Sequence, residues 1–119
     1  MKFSIVTVVR NDVAHIMETV SSVLDHQPGV DLEYIIIDGA SSDGTRELVA
    51  SRSSELAALV SEPDSGIYEA MNKGIAIAKG DVIGIINSGD RYHDFPSGRY
   101  RKDCLLTDFH CYRRWLRSN

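Results

Sequence analysis

The sequence predicts an α/β domain built on a mostly parallel sheet that is flanked by helices. Two observations support this: short β-branched apolar runs alternate with helical patterns, and a polar segment follows each apolar run. Alternating strands and helices favour parallel pairing through helical crossovers. The 119 residues suffice for one small domain, and a hydrophobic content of 43% is ordinary for a folded protein.

Each element has its own signal in the sequence. Four apolar runs predict buried strands, at residues 3–9, 32–37, 56–61 and 81–86. Helical spacing of apolar residues predicts helices at about 13–24, 45–52 and 67–78. Asn11 and Asp12 offer a cap for the first helix, and Lys79 with Gly80 terminates the third.

Bulk properties exclude several classes of protein. A net charge of −4 argues against a general nucleic-acid binder. No apolar run reaches the roughly 18–20 residues that a membrane span needs, and the amino terminus lacks a signal-peptide pattern, so we expect a cytoplasmic protein without an integral membrane segment. Cys104 and Cys111 have no metal-ligand spacing, which favours free thiols. The sequence contains no nucleophile elbow, P-loop or dinucleotide fingerprint.

Composition changes abruptly near residue 93. Residues 1–93 carry 7 Lys/Arg against 14 Asp/Glu, whereas residues 94–119 carry 6 against 3 and hold five of the nine aromatic residues. Periodicity fades in this tail, where residues 104–116 give only a weak helix prediction. The tail is a basic, aromatic interaction arm, an ordinary domain edge, or an out-of-frame or truncated end. The abruptness of the change favours the last interpretation.

Polar segments at the predicted strand ends are the candidate site. Open α/β sheets bind ligands at the carboxyl ends of their strands, near a switch in strand order. Four polar segments fall there: residues 7–11, 38–45, 61–66 and 87–90. Their convergence on one edge of the sheet is stronger support for a site than any single segment.

Individual side chains in these segments have both a chemical and a structural interpretation. Asp38 can accept hydrogen bonds from a base imide or a ribose hydroxyl, or it can form a turn. The helix start at Asp64 and Gly66 suits a phosphate, although Asp64 can also act as a cap. Lys73 can face a diphosphate or remain solvated, and for Tyr68 we favour packing over stacking.

The segment Asn87–Asp90 is the predicted chemical centre. A carboxylate just past a buried strand can hold Mg²⁺ or Mn²⁺ together with diphosphate oxygens, and the metal then neutralises the leaving nucleoside diphosphate. The sequence Asn-Ser-Gly-Asp is also typical of an ordinary β-turn. The other three polar segments favour the site, with Asp90 as the metal carboxylate.

Taken together, residues 3–11, 34–45 and 61–74 resemble the family 2 glycosyltransferases of the GT-A fold, in the subgroup that builds bacterial surface polysaccharides. The resemblance covers about residues 2–93. It implies a Rossmann-like nucleotide-binding half that is incomplete at the C-terminus. Two domains follow from this: residues 1–93 as the partial nucleotide-sugar-binding domain, and residues 94–119 as an atypical tail.

The resemblance also implies a reaction and its residues. An acceptor hydroxyl of a glycan or lipid-linked acceptor attacks the anomeric carbon of a nucleotide-sugar, most simply a UDP-sugar, with inversion and with Mg²⁺ or Mn²⁺. Family analogy places this assembly at the inner face of the membrane. Thr7, Val9 and Asp38 are expected around the base and ribose, and Asp64 and Asn72 near the donor. The full donor-binding set is Thr7, Val9, Asn11, Asp38, Asp64, Gly66, Asn72, Lys73 and Ser88.

Three departures from the family pattern limit the expected activity. The acidic turn carries one carboxylate, and Met71 stands where many members have Arg. The carboxylates after residue 93 form no recognisable general-base motif, and a missing base removes about 10²–10⁴-fold in rate. We therefore expect impaired transfer. A truncated end should also expose a sheet edge and apolar helix faces, and cause poor solubility or self-association. The alternatives are a noncatalytic nucleotide or nucleotide-sugar binding module and a flavodoxin- or receiver-like interaction domain.

Overall fold

The computed structural model describes residues 2–25, 31–89 and 110–113, and strands alternate with helices through most of them. The strands are β1 (Phe3–Val9), β2 (Leu32–Asp38), β3 (Ala58–Ser61), β4 (Val82–Ile85) and β5 (His110–Arg113). The helices are α1 (Ile16–Leu24), α2 (Thr45–Ala50) and α3 (Ile67–Ile77), with a 3-10 turn at Ser53–Glu55.

The five strands form one sheet in the order β3-β2-β1-β4-β5. β1 pairs in parallel with β2 and with β4, and β2 pairs in parallel with β3. The chain therefore crosses to the other side of β1 after β3, which places the switch in strand order between β1 and β4. The predicted α/β class with a mostly parallel sheet is confirmed.

Both faces of the sheet are covered, so β1 is buried along its whole length. Its side chains alternate between two apolar cores. Ile5 and Val9 belong to the core under α1 and α2, whereas Val6 and Val8 belong to the core under α3. This two-sided burial explains why the strand is a continuous apolar run rather than an alternating one.

Helix α3 lies unusually close to β1 at Gly74. A Cβ atom added there would lie 2.3 Å from Cγ1 of Val6, closer than real side chains approach. Met71 and Ile75 pack half-buried against the same core, as their spacing predicted. The glycine thus fixes the distance between the helix and the sheet, and with it the position of the helix start at the carboxyl edge.

Helix α1 begins later than the sequence predicted. The expected start near Val13 is replaced by a turn, and the helix begins at Ile16. The carbonyl oxygen of Asp12 accepts hydrogen bonds from the N–H groups of His15 (3.1 Å) and Ile16 (3.0 Å). The Asp12 side chain does not cap the helix as predicted because it is engaged by other partners, described below.

The tail contributes strand β5, which pairs antiparallel with β4. The weak helix prediction over residues 104–116 is therefore wrong for His110–Arg113. Pairing with the free edge of β4 outweighs a weak local helical preference. It also covers the edge of β4, while β3 forms the opposite edge of the sheet. The boundary predicted at residue 93 lies outside the described residues.

Candidate functional site

The carboxyl edge of the sheet gathers the predicted polar segments. In the register of the sheet, Val9 lies opposite Asp38, and Asp38 lies opposite Ser61. Backbone pairing continues beyond the strands, because the N–H of Gly39 donates to Val9 O (2.9 Å) and that of Ser88 donates to Val8 O (3.3 Å). Polar residues that follow four separate strands therefore meet at one edge.

Asp38 is fully buried and held by two serines. Its Oδ1 accepts a hydrogen bond from Ser41 Oγ (2.5 Å), and its Oδ2 accepts from Ser41 N (3.1 Å) and from Ser61 Oγ (2.7 Å). These bonds use three of the roughly four acceptor positions of a carboxylate. Asp38 thus joins the ends of β2 and β3, and Oδ1 keeps one acceptor position for a further donor.

Asn11 shapes the neighbouring loop. Its backbone has a positive φ of 50°, which Asn tolerates better than most residues. Its N–H donates to Ser41 Oγ (2.8 Å), and its side-chain Oδ1 accepts from Ser42 N (2.8 Å). The loop after β1 is therefore fastened to the loop after β2, and the exposed Asn11 lies within the same edge as Asp38.

A cleft of about 170 Å³ opens at this edge on the α3 side of the sheet. Three residues of the predicted donor-binding set line it, namely Val9, Asp64 and Gly66. Val8, Val9 and Arg10 line it from β1, and Asp64, Gly66, Ile67 and Ala70 line it from the start of α3.

Gly39 borders this cleft. A Cβ atom at that position would lie 3.1 Å from Oδ2 of Asp64 and 3.5 Å from Cβ of Arg10. The glycine therefore lets the Arg10 and Asp64 side chains come close to the β2 end. The result is an apolar cleft with one cation and one carboxylate among its lining residues, which suits a planar, partly polar group attached to an anion.

The start of α3 is already hydrogen-bonded by its own carboxylates. Asp64 Oδ1 accepts from Gly66 N (3.2 Å), and Glu69 Oε2 accepts from the N–H (3.1 Å) and the hydroxyl of Ser65. The Ser65 hydroxyl is the main cause that lowers the pKa of Glu69. Tyr68 is 79% exposed, so the packing interpretation of this residue is wrong.

Lys73 and Asn72 lie further along α3. The Lys73 ammonium lies 3.0 Å from Glu62 Oε1 and 3.6 Å from Glu69 Oε1, and it donates to Pro63 O (3.3 Å). Its hydrogen bond with Glu62 is the main reason for the raised pKa of Lys73. The lysine fastens the loop before α3 to the helix, whereas Asn72 is exposed. Neither residue lines the cleft, and their donor roles stay predictions.

Thr7 is placed inside the domain rather than at the rim of the cleft. It is fully buried, and its Oγ1 lies 2.6 Å from the hydroxyl oxygen of Tyr34. Burial of Tyr34 raises the pKa of its hydroxyl, which remains protonated at neutral pH. The pair links β1 to β2 across the sheet, and a contact between Thr7 and a donor stays a prediction.

The turn after β4 is tied to the loop after β1. Ser88 Oγ donates to Asp12 Oδ2 (2.8 Å), and Gly89 N donates to Thr19 Oγ1 (3.0 Å). Asp12 Oδ1 also lies 2.8 Å from His15 Nδ1, and this bond is the main cause that lowers the pKa of Asp12 and raises that of His15. Ser88 is thus brought to the carboxyl edge.

Asn87 is a candidate that the donor-binding set omitted. Its Oδ1 is buried and has no hydrogen-bond partner among the described residues. A buried acceptor without a partner costs about 1–3 kcal/mol, so it marks a place where a bound donor group would be favourable. In the sequence, Asn87 is a polar residue directly after an apolar strand, but a β-turn at Asn-Ser-Gly-Asp explained its presence equally well.

Metal-binding groups are sparse in the described part of the chain. It contains no group of three or more His, Cys, Asp or Glu residues that could hold a metal ion. Asp90, the predicted metal carboxylate, lies outside the described residues. Among the helices of residues 2–25 and 31–89, none is long and apolar enough to cross a membrane.

Solved structures share this architecture. A mannosyltransferase from Pyrobaculum calidifontis, in complex with GDP-Man and Mn²⁺, matches 87% of this chain and 30% of its own, with a TM-score of 0.68 and 26% identity. Residues 1–349 of Staphylococcus aureus TarS in complex with UDP-GlcNAc match with a TM-score of 0.69 and 22% identity, over 89% of this chain and 30% of theirs. The GT-A type of fold is therefore confirmed.

Sequence relatives agree with the structural ones. An uncharacterized glycosyltransferase of Mycobacterium tuberculosis is 38% identical over 89 residues, which are 75% of this chain and 34% of that protein. TuaG of Bacillus subtilis, a glycosyltransferase named for teichuronic acid biosynthesis, is 33% identical over 92 residues, 75% of this chain and 36% of that protein. The chain thus spans about a third of these relatives. The family model "Glycosyl transferase family 2" matches residues 4–94, and this chain belongs to that family.

Proposed function

We propose that residues 1–93 form the nucleotide-sugar-binding part of an inverting glycosyltransferase. The observation that carries the proposal is the cleft at the carboxyl edge, where the end of β1 meets Asp64 and the start of α3. It lies beside the switch in strand order, where open α/β sheets bind their ligands. The GDP-Man and UDP-GlcNAc complexes of the structural relatives support the ligand class.

The base and ribose occupy the end of β1 in this proposal. Val9 borders the base at the end of β1, the neighbouring Val8 provides an apolar surface on the α3 side, and Asp64 accepts a hydrogen bond from a base N–H. Asp38 keeps an acceptor position on Oδ1, and Asn11 lies in the loop fastened to the same serine, so both suit a ribose hydroxyl. The unpartnered Asn87 Oδ1 provides a further acceptor for a hydroxyl group.

We propose that the diphosphate lies between the start of α3, which lines the cleft, and the turn after β4, which follows the strand next to β1. Gly66 precedes the helix without a side chain and leaves open space, so an anion can approach there once it displaces Asp64 Oδ1 from the Gly66 N–H. Lys73 adds positive charge from the next turns of the helix, although Glu62 and Glu69 partly neutralise it. Thr7, Asn72 and Ser88 complete the proposed donor-binding set.

A divalent cation fits this donor set. The oxygen atoms near the turn after β4 are hard ligands of the kind that Mg²⁺ and Mn²⁺ prefer, and such ions are commonly held by one or two carboxylates together with substrate phosphates. We propose Asp90 as its carboxylate ligand. When bound, the ion neutralises charge on the leaving diphosphate. The Mn²⁺ complex of the structural relative supports this choice.

The proposed reaction forms a bond between an acceptor oxygen and the anomeric carbon of the sugar. The bond from that carbon to the diphosphate breaks with inversion, the nucleoside diphosphate leaves, and a general base takes the acceptor proton. For this chain the proposal is donor binding by residues 1–93, with impaired transfer. The name of TuaG supports a glycan or lipid-linked acceptor, and we propose that the reaction takes place in the cytoplasm at the inner membrane.

The alternative is a noncatalytic module that binds a nucleotide or nucleotide-sugar. It uses the same cleft without acceptor chemistry, so it predicts nucleotide binding without sugar transfer. The two proposals share the binding site and differ in turnover. Release of UDP from a UDP-sugar in the presence of glycan acceptors separates them.

The cleft is tested by calorimetry with UDP and GDP on the wild type and Asp64→Asn. This substitution keeps the size of the side chain and removes its charge, so we expect about ten-fold weaker binding of the preferred nucleotide. Asp31→Asn makes the same change at an exposed position beyond the opposite edge. Equal affinities for the wild type and Asp64→Asn would contradict the assignment of the cleft.

A further inference from the structure

Asp12 lies where the ends of three strands meet. It follows β1 by three residues, and its N–H donates to Thr45 Oγ1 (3.0 Å) at the start of α2. Its carboxylate accepts from Ser88 Oγ (2.8 Å) in the turn after β4, while the other oxygen lies 2.8 Å from His15 Nδ1. One side chain thus connects the loop after β1 to a turn 76 residues further along the chain.

The turn after β4 has a second attachment to the same region. The Gly89 N–H donates to Oγ1 of Thr19 (3.0 Å), a buried residue of α1. Gly89 has a φ of 97°, which favours glycine, and a Cβ atom there would lie 3.7 Å from Asp12 Oδ2. The position of the turn is therefore set by α1 and its preceding loop rather than by the strand alone.

We propose that Asp12 is a positioning residue for metal-dependent donor binding. By holding Ser88, it sets where the turn Asn87–Gly89 meets the metal–diphosphate part of the ligand, an inference that rests on the proposed function. Mg²⁺ and Mn²⁺ demand a narrow ligand geometry, and partners outside the ligand shell commonly change metal affinity by about 10–100-fold.

Asp12 and the cleft lie on opposite sides of the sheet, so the positioning role can be tested separately from nucleotide binding. Asp12 contacts residues of the α1 and α2 side, namely His15 and Thr45, whereas the cleft lies on the α3 side. Asp12 does not line the cleft. Removing its carboxylate should therefore reduce the gain in nucleotide affinity that the metal ion provides and leave the affinity without metal unchanged.

The test is calorimetry of 1–119 with UDP, with and without Mn²⁺, on the wild type and four variants. The measured quantity is the ratio of the two dissociation constants. Asp12→Ala and Ser88→Ala should each reduce that ratio about ten-fold. Asp12→Asn retains an oxygen that can accept a hydrogen bond from Ser88, so this variant should keep most of the wild-type ratio. Asp31→Ala changes an exposed residue and serves as a control, and its ratio should equal that of the wild type.

Amide hydrogen exchange at Gly89 provides a readout that needs no ligand. Asp12→Ala should increase exchange at Gly89 while the melting temperature stays within a few degrees of the wild type. Unchanged exchange at Gly89 would overturn the claim that Asp12 holds the turn Asn87–Gly89 in place. Because Ser88→Ala removes the same hydrogen bond from its donor side, the test remains decisive if Asp12→Ala fails to fold.

The outcomes separate this proposal from the proposed function. If the wild type binds UDP and Asp12→Ala keeps the full effect of Mn²⁺, the positioning role is overturned and the proposed function stands. Equal weakening with and without Mn²⁺ would show a general structural role and overturn it too. If the folded wild type binds no nucleotide, the proposed function fails, and the positioning role fails with it.

Discussion

The two edges of the sheet use polar residues in opposite ways. At the amino edge, Glu33 accepts hydrogen bonds from Ser4 Oγ and Lys79 N, and Ser4 in turn accepts from Gly80 N (2.7 Å). Lys2 lies 4.0 Å from the same carboxylate. The polar groups named here are all paired within the domain, so their interactions serve to stabilise the fold.

The carboxyl edge carries features that stability alone does not explain. Its loops hold all the positive-φ residues among those that the structure describes, and the acceptor of Asn87 without a partner lies there too. The positive-φ positions are Asn11, Ala40, Gly44, Gly66 and Gly89. A left-handed backbone at a residue other than glycine costs about 1–2 kcal/mol. Strain of this kind concentrates at functional sites, which supports the proposal that ligands bind at the carboxyl edge.

The strongest way to break the amino edge is Gly80→Ala. A Cβ atom there would lie 2.7 Å from the Ser4 backbone nitrogen and 2.9 Å from the Lys2 carbonyl oxygen, so backbone must move. We expect a loss of about 3 kcal/mol in the free energy of unfolding, measured by urea denaturation. Lys79→Ala, at the exposed neighbour, should cost much less, and equal losses would contradict the steric account.

Glu33→Gln tests the charge at the amino edge. Burial acts to raise the pKa of Glu33, but the Lys79 N–H, the Ser4 hydroxyl and Lys2 outweigh it and hold the pKa below its ordinary value of 4.5. A depressed pKa means that the carboxylate stabilises the fold above about pH 4.5 and that this contribution disappears as pH falls through the folded-state value. Glu33→Gln should lose about 1–2 kcal/mol at pH 7 and show a flatter loss of stability on acidification. Parallel pH profiles for variant and wild type would contradict this.

Ala40→Gly tests strain at the carboxyl edge. Ala40 has a φ of 60°, which glycine adopts without steric cost. After the entropy of glycine is subtracted, we expect a gain of about 0.5–1 kcal/mol in the free energy of unfolding. Ala50→Gly, at the end of α2, should instead destabilise. A loss of stability for Ala40→Gly would show that the loop carries no strain.

The sequence predicted the fold more completely than the site, for a physical reason. Apolar runs and helical spacing are local, and they sufficed for β1, α3 and the order of the elements. The partners of Asp12, Asp38 and Lys73 depend on how loops from different strands meet. Asp12 and Ser88 are 76 positions apart, and no local pattern distinguishes a helix cap from a bridge between strands. Strand β5 was missed because the free edge of β4, rather than local preference, specifies it.

The central claim is that the carboxyl edge binds a nucleotide together with a divalent metal ion. Calorimetric titration of folded 1–119 with UDP, with and without Mn²⁺, tests it most directly when Asp90→Ala is titrated beside the wild type. We predict that Mn²⁺ strengthens binding to the wild type and has little effect on the variant. No binding by the folded wild type, or an equal effect of Mn²⁺ on both proteins, would contradict the account.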